Sequence, residues 1–300
     1  MKNTLWIFGD SYGTEREGHL EHISFKPEWA WYMSLAKKLR MEVENHALGG
    51  GSNEYTMKKF HDKLPLMQQG DPVVVIITET MRKWVIKDRP ILSFLRALER
   101  EAKLRGTPGI PVDMDFFETY WLDIWDEEIE INHTRNFLNT IAYMKYKKKI
   151  NPIVMPSFPS SSYAIKSVWP REIPKCIGNL NKISVYEIAE NPKALPPDMA
   201  DFRNNHMAQA NHEVLAHKIF KAIVDGSEIQ LKHGFKRDLY TQQQIKEEHN
   251  PDGKLDWLND NWGNDRQDLD DKSAHLTDDG NARRNPNQEW EFSRLKEDDE

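Results

Sequence analysis

Asp71-Pro72-Val73-Val74-Val75-Ile76-Ile77 is the clearest strand signal in the chain. A proline enters it, and the β-branched run that follows has no polar interruption. Such a run suits a parallel strand covered on both faces, since a half-solvated strand would alternate apolar and polar residues. Upstream, Leu5-Trp6-Ile7-Phe8 is a second short apolar run, stopped by Gly9-Asp10-Ser11. Between the two, residues 29–39 carry apolar side chains at helical spacing, with Lys37, Lys38 and Arg40 at the end where cations suit the helix dipole. Residues 42–48 read as a strand that ends in Gly49-Gly50-Gly51, and 54–66 as a helix. Downstream, 91–104 and 116–149 read as helical, the latter with Phe137, Leu138, Ile141 and Tyr143-Met144 on its apolar side. Residues 150–155 form a fourth strand that Pro152 breaks early, 156–174 a Ser/Pro-rich loop, and 211–224 an amphipathic helix. Strands alternating with helices predict a three-layer α/β/α sandwich with a mainly parallel sheet, flavodoxin-like in build.

Composition divides the chain. Of its 300 residues 38% are hydrophobic, below the ~45–50% of ordinary globular chains, so part of it is expected to lie outside a core. Residues 227–300 hold 19 acidic and 11 basic side chains, net −8, whereas the first 226 residues hold 29 and 30, net +1. The expected organisation is a body over 1–226 and an acidic C-terminal extension over 227–300, partly irregular or draped on the body. Truncation after Gly226 is expected to leave a folded body, unless Trp257, Trp262 and Trp290 dock on it.

The balanced body and acidic tail lack the basic stripe of a phosphate-backbone binder, so no nucleic-acid partner is expected. No apolar run approaches the ~20 residues of a membrane span. The apolar stretch near Met1 is too short for a signal peptide, and the single Cys176 allows no intrachain disulfide. Together these predict a cytoplasmic protein. Oligomeric state is not written in the sequence.

Three segments carry chemistry. Ser11 follows a buried strand directly, and in α/β sheets ligands bind beyond the carboxyl ends of the strands. Its hydroxyl needs a base to act as a nucleophile; the plainer reading of Ser11 is a turn or helix cap. Asn45-His46-Ala47-Leu48-Gly49-Gly50-Gly51-Ser52-Asn53 ends the second strand. Its glycines can present N–H groups to an oxyanion, and no Lys-Ser/Thr follows them, which excludes a Walker loop. Asp201-Phe202-Arg203-Asn204-Asn205-His206 precedes the last helix of the body. A histidine there can reach across to a serine at the end of the first strand, while His212, six residues on, reads as a packing or capping residue.

In this order the three segments resemble the SGNH/GDSL hydrolase family over roughly residues 3–225. Trp6-Ile7-Phe8-Gly9-Asp10-Ser11 is similar to the nucleophile block, Asn45 and Gly50 to the glycine block, and His206 with His212 to the histidine block. The resemblance implies the SGNH version of the sandwich and a serine esterase without cofactor or metal. Its substrate would be an O-acyl ester of a small molecule or a carbohydrate. It implies Ser11 as nucleophile, His206 as base, Asp201 as the orienting acid, and Gly50, Thr78, Asn53, Asp10, Arg82 and Arg203 as oxyanion or substrate-binding residues.

Two departures stand out. The family has an asparagine after the third strand, where this chain has Thr78-Glu79-Thr80-Met81-Arg82. That stretch resembles bacteriophage-encoded members. The family also places its acid three residues before the histidine, where this chain has Arg203; Asp201 lies five before and Asp198 eight before. These departures motivate an alternative reading, a structural or interaction protein, virion-associated, that keeps the fold with weak or no catalysis.

Other clusters are weaker. His19 and His22 read as part of a surface or substrate loop rather than a metal site. Asp265, Asp268, Asp270 and Asp271 lack the spacing and closing glutamate of a calcium loop. Tyr120, Trp121 and Trp125 read as core or as a lid helix.

Overall fold

The computed structural model describes residues 3–14, 27–80, 82, 126–166, 168–188, 190, 207–241, 281–284 and 290–294, the last two stretches as backbone. The predicted helix 91–104, His19, His22, Tyr120, Trp121, Trp125, Asp201, Arg203, His206, Trp257, Trp262 and the aspartates 265–271 lie outside them. In chain order the elements are β1 (Thr4–Phe8), α1 (Trp31–Leu39), β2 (Glu42–Asn45), α2 (Asn53–Lys63), β3 (Pro72–Ile77), α3 (Glu127–Lys148), β4 (Asn151–Pro156) and α4 (Pro159–Lys166). β5 (Cys176–Ile177), α5 (Asn181–Tyr186), α6 (Gln209–Asp225), β6 (Ile229–Gln230), β7 (Asn281–Arg284) and β8 (Trp290–Arg294) follow.

The main sheet is parallel, in the order β2-β1-β3-β4. Its apolar runs alternate by position as a pleated strand demands. Leu5, Ile7, Val74, Ile76, Ile153 and Met155 share one core with Trp31, Tyr32 and Leu35 of α1 and Leu215, Ala216 and Ile219 of α6. Trp6, Phe8, Val73, Val75, Ile77 and Val154 share the other with Phe60 of α2 and Phe137, Leu138 and Ile141 of α3. Every residue of β3 is buried, which is why its sequence shows no polar alternation. The result is the expected three-layer α/β/α sandwich.

The ends of the elements follow local chemistry. Ser52 caps α2 by accepting from the Tyr55 N–H at 3.3 Å. Asp126 caps α3 by accepting from the N–H groups of Glu128 and Ile129 at 2.7 and 3.2 Å. Acids fill the first turn of α3 and lysines its last, both favourable to the helix dipole.

Four sequence readings change. First, Pro152 does not break the fourth strand, which runs through it to Pro156. The Asn151 and Ser157 N–H groups donate to Asp71 and Ile77 carbonyls, so by alternation the nitrogens of Pro152 and Pro156 face away from β3. Among the described residues β4 is the last strand of the sheet, and proline is tolerated where its missing donor faces away from the ladder of an edge strand. Second, the loop read over 156–174 contains α4, which begins at Pro159; proline suits a first helical turn, where no N–H is needed. Third, Tyr143 is exposed rather than packed.

Fourth, the chain beyond Gly226 does not leave the body at once. The first compact unit is Met1–Gln242 and the second Gln243–Glu300. β6 pairs in parallel with β5, Ile188 bridges Tyr240, and Ile229, Leu231, Leu239 and Tyr240 are buried. The Glu187 carboxylate accepts from the Ala208 N–H at the start of α6 and from the Asn211 side chain. The Asn211 amide in turn exchanges two hydrogen bonds with the Lys236 backbone, at 2.8 and 3.0 Å. Within the second unit β7 and β8 form an antiparallel pair with a register shift between Ala282 and Arg284.

Burying an aliphatic side chain contributes ~1.5–3 kcal/mol, so removing Ile229, Leu231 and Leu239 costs about 5 kcal/mol, close to the whole stability of many domains. A fragment ending at Gln242 is therefore expected to melt cooperatively, and one ending at Gly226 to melt far lower or without cooperativity. Thermal unfolding followed by circular dichroism compares them; equal midpoints would show that 229–241 contributes nothing.

Candidate active site

The strand order places a topological switch point between β1 and β3, since the helices that follow β1 and β2 cover opposite faces of the sheet. Ligands of such sheets bind beyond the strand ends at that point. Gly9-Asp10-Ser11 leaves β1 there. Gly9 has φ +141°, and a Cβ on it would lie 2.5 Å from the Ile76 Cβ and 2.9 Å from the Ile76 carbonyl oxygen. Only glycine lets β1 finish this close to β3. The next residues form a turn closed by the Gly13 N–H donating to the Asp10 carbonyl at 3.0 Å. Ser11 lies inside this turn, half-buried, and its carbonyl accepts from the Thr14 hydroxyl at 3.2 Å.

The glycine segment is tied to this turn. The Leu48 N–H donates to the Gly9 carbonyl at 2.9 Å, and the Asn45 side chain donates to the Gly13 carbonyl at 2.7 Å while accepting from the Ala47 N–H. Gly50 follows at φ +71°, a left-handed turn that suits glycine. One residue past the α2 cap, the Asn53 carboxamide clamps the end of β3. Its oxygen accepts from the Thr78 N–H at 2.9 Å, and its nitrogen donates to the Thr78 carbonyl at 3.1 Å. Thr78 is buried, and its hydroxyl has no hydrogen-bond partner among the described residues.

Asp10 is fully buried. One carboxylate oxygen accepts from the Tyr12 N–H at 3.1 Å, the other from the Ser157 hydroxyl at 2.6 Å. The Arg82 guanidinium lies 3.9 Å from Asp10, donates to Glu79 at 3.0 Å and stacks over the Phe158 ring at 4.7 Å. Two acids thus surround one cation, and Arg82 is held by groups from the ends of β1, β3 and β4. Tyr12 packs edge-on against Phe158; burial, with the charge of Asp10 adding to it, pushes its phenol well above the usual range.

The structure therefore brings Ser11, Asp10, Gly50, Asn53, Thr78 and Arg82 to one end of the sheet, and Asp201, Arg203 and His206 lie outside the described residues. His212 is buried, and its Nδ1 accepts from the Trp31 N–H at 3.1 Å, so it caps α1. Cys176 is buried and burial pushes its thiol up, which keeps it protonated and unreactive. Ser157 and Phe158 were not among the predicted residues. Their signal was the same rule that singled out Ser11, a residue directly after a buried parallel strand. Among the described residues no group of three metal-ligating side chains occurs, and no helix is long and apolar enough to cross a membrane.

No protein-family model matches the chain, and no curated protein does. Among solved structures it is similar to a G-D-S-L family protein from Desulfitobacterium hafniense DCB-2 described as lipolytic, at 11% identity and TM-score 0.38 over 73% of this chain and 98% of that one. It is also similar to a carbohydrate esterase family 2 enzyme with a carbohydrate-binding domain from Corynascus thermopiles (Myceliophthora fergusii). That likeness has 12% identity and TM-score 0.41, over 74% of this chain and 66% of that one. At this distance the chemistry has to come from the chain's own residues.

His46, inside the glycine segment, stacks on Trp6 and packs at a tilt against Phe8. Burial lowers its imidazole below the usual 6.5, Lys63 and Lys59 add to this, and Glu44 opposes it. Above that value both folded and unfolded chains are neutral at this site. Below it the unfolded chain binds the proton first, so stability falls with pH until the folded imidazole also titrates. Wild type is expected to lose more stability than His46→Gln between about pH 7.5 and 5.5, read from urea unfolding at each pH. Parallel curves for the two proteins would refute this.

Proposed function

We propose that the chain is a serine esterase that hydrolyses an O-acyl ester of a small molecule or a carbohydrate through Ser11 and His206. The observation that carries this reading is the placement of Ser11. It is a half-buried serine at the switch point, on a turn braced by the Gly9 and Gly13 carbonyls' bonds to the glycine segment. Ser157, the other serine at a strand end, has its hydroxyl committed to the Asp10 carboxylate.

In this mechanism His206 takes the Ser11 hydroxyl proton as Oγ attacks the ester carbonyl carbon. The carbonyl oxygen becomes an oxyanion held by the Ser11 and Gly50 N–H groups. Thr78 supplies a third donor in place of the family's asparagine, since its hydroxyl has no other partner among the described residues. Asn53 keeps one amide N–H beyond the one given to Thr78. His206 then protonates the leaving alcohol oxygen, and water, deprotonated by the same base, releases the acid from the acyl-enzyme. Asp201 orients His206, and Arg203 and Arg82 face polar groups of the substrate, Arg82 with the donors that Glu79 leaves over.

A second reading is supported by Arg203, which stands where the family carries its acid: an interaction protein on the same fold, with weak or no catalysis. Hydrolysis of p-nitrophenyl acetate by wild type, Ser11→Ala and His206→Ala separates the two. The esterase reading expects each substitution to lower kcat/KM by about a thousandfold or more. Equal rates in wild type and Ser11→Ala would discard it in favour of the second.

A further inference from the structure

We propose that Ser157 is a positioning residue for the Ser11 turn and acts through Asp10. β1 and β4 share no ladder, because β3 lies between them. Strands separated in this way run about 10 Å apart. The two nevertheless meet just past the end of β3. The Ser157 N–H donates to the Ile77 carbonyl at 2.9 Å, which registers its backbone on the last residue of β3. From there its hydroxyl reaches the Asp10 carboxylate at 2.6 Å, the length of a charge-assisted O–H···O bond.

The single Ser157 hydroxyl proton is held between the Asp10 carboxylate and the Ile77 carbonyl, 2.6 and 3.1 Å away, so it is not offered to a substrate. Its effect passes along Asp10. The second carboxylate oxygen accepts from the Tyr12 N–H at 3.1 Å, the amide of the peptide that joins Ser11 to Tyr12. The Asp10 carbonyl accepts from the Gly13 N–H. One side chain therefore sets the peptide plane immediately after Ser11, and the Ser157 hydroxyl sets that side chain.

A competitor stands beside it. The Arg82 guanidinium lies 3.9 Å from the same carboxylate oxygen that Ser157 binds. Without the hydroxyl, Asp10 has one strong donor left on that oxygen's side and turns toward the cation. The turn carries the other oxygen away from the Tyr12 N–H and loosens the Ser11–Tyr12 peptide. The consequence for reactivity rests on the esterase reading above; the consequence for the turn does not.

The test is Ser157→Ala in the full chain, with two readouts. Deuterium uptake in peptides covering residues 9–14 is expected to accelerate, with uptake over β3 unchanged as the check that the sheet is intact. Labelling of Ser11 by a fluorophosphonate probe is expected to slow roughly tenfold to a hundredfold in its limiting rate, with half-saturation within about twofold. Asp10→Ala should slow labelling too, and adding Ser157→Ala to it should change nothing more, since the hydroxyl then has no carboxylate to hold. Unchanged uptake over 9–14 in Ser157→Ala overturns the proposal. Faster uptake with labelling at the wild-type rate overturns its catalytic part. If wild type is labelled no better than Ser11→Ala, the esterase reading fails, and the uptake result alone decides the positioning role.

Discussion

The Asp10 carboxylate is the constraint on which this end of the molecule depends. An ionised carboxylate removed from water costs several kcal/mol unless it is well paired. Asp10 meets that cost with the Tyr12 N–H, the Ser157 hydroxyl and the nearby Arg82 guanidinium. Each comes from a different strand end, so satisfying one charge fixes where β1, β3 and β4 finish relative to one another. A second buried aspartate does the same at the opposite end of the sheet. Asp71 accepts from the Thr4 N–H, the Trp6 indole N–H and the Gln68 N–H at 2.9–3.0 Å. β1 is therefore gripped lengthwise. Its start is bonded to the residue that introduces β3, and its exit is bonded to the residue that follows β4.

Much of this was legible in the sequence where the signal was local. The unbroken apolar run of β3 announced a strand buried on both faces, and the alternation within it matches the two cores. Gly9 and Gly50 stood where a close approach and a left-handed turn require them. Ser11, Gly50, Asn53, Thr78, Asp10 and Arg82 converge because each follows the carboxyl end of a parallel strand or begins the next helix. What escaped was non-local. Ser157 gains its meaning from a partner 147 positions away, and Pro152 is harmless because its nitrogen faces away from β3 on the last strand of the sheet among the described residues. His212 shows the same limit from the other side. Its six-residue spacing from His206 fits a family motif, while its side chain caps a helix 181 residues upstream.

The charge division also sharpens once the compact units replace the end of α6 as the boundary. Residues 243–300 hold 17 acidic and 8 basic side chains, net −9, which leaves 31 acidic and 33 basic, net +2, for residues 1–242. The segment 227–241 thus sits with the body in charge as well as in packing. The candidate site belongs to a nearly neutral unit, and the charged side chains described at it are Asp10, Glu79 and Arg82.

That segment is also bonded to the start of α6. Met207 and Ala208 lead directly into α6. The Ala208 N–H, at the cap of α6, is held by both oxygens of the Glu187 carboxylate at 3.0 and 2.9 Å. The Glu187 carbonyl accepts from the Leu239 and Tyr240 N–H groups, and Asn211 in the first turn of α6 is bonded to the Lys236 backbone. The residues past Gly226 and the start of the helix that follows His206 therefore share one buried polar network. Such networks are costly when half satisfied, so removing the segment would unpair groups at the start of α6 as well as expose apolar surface. The stretch that composition alone assigned to a tail is part of what anchors the start of α6 to the body.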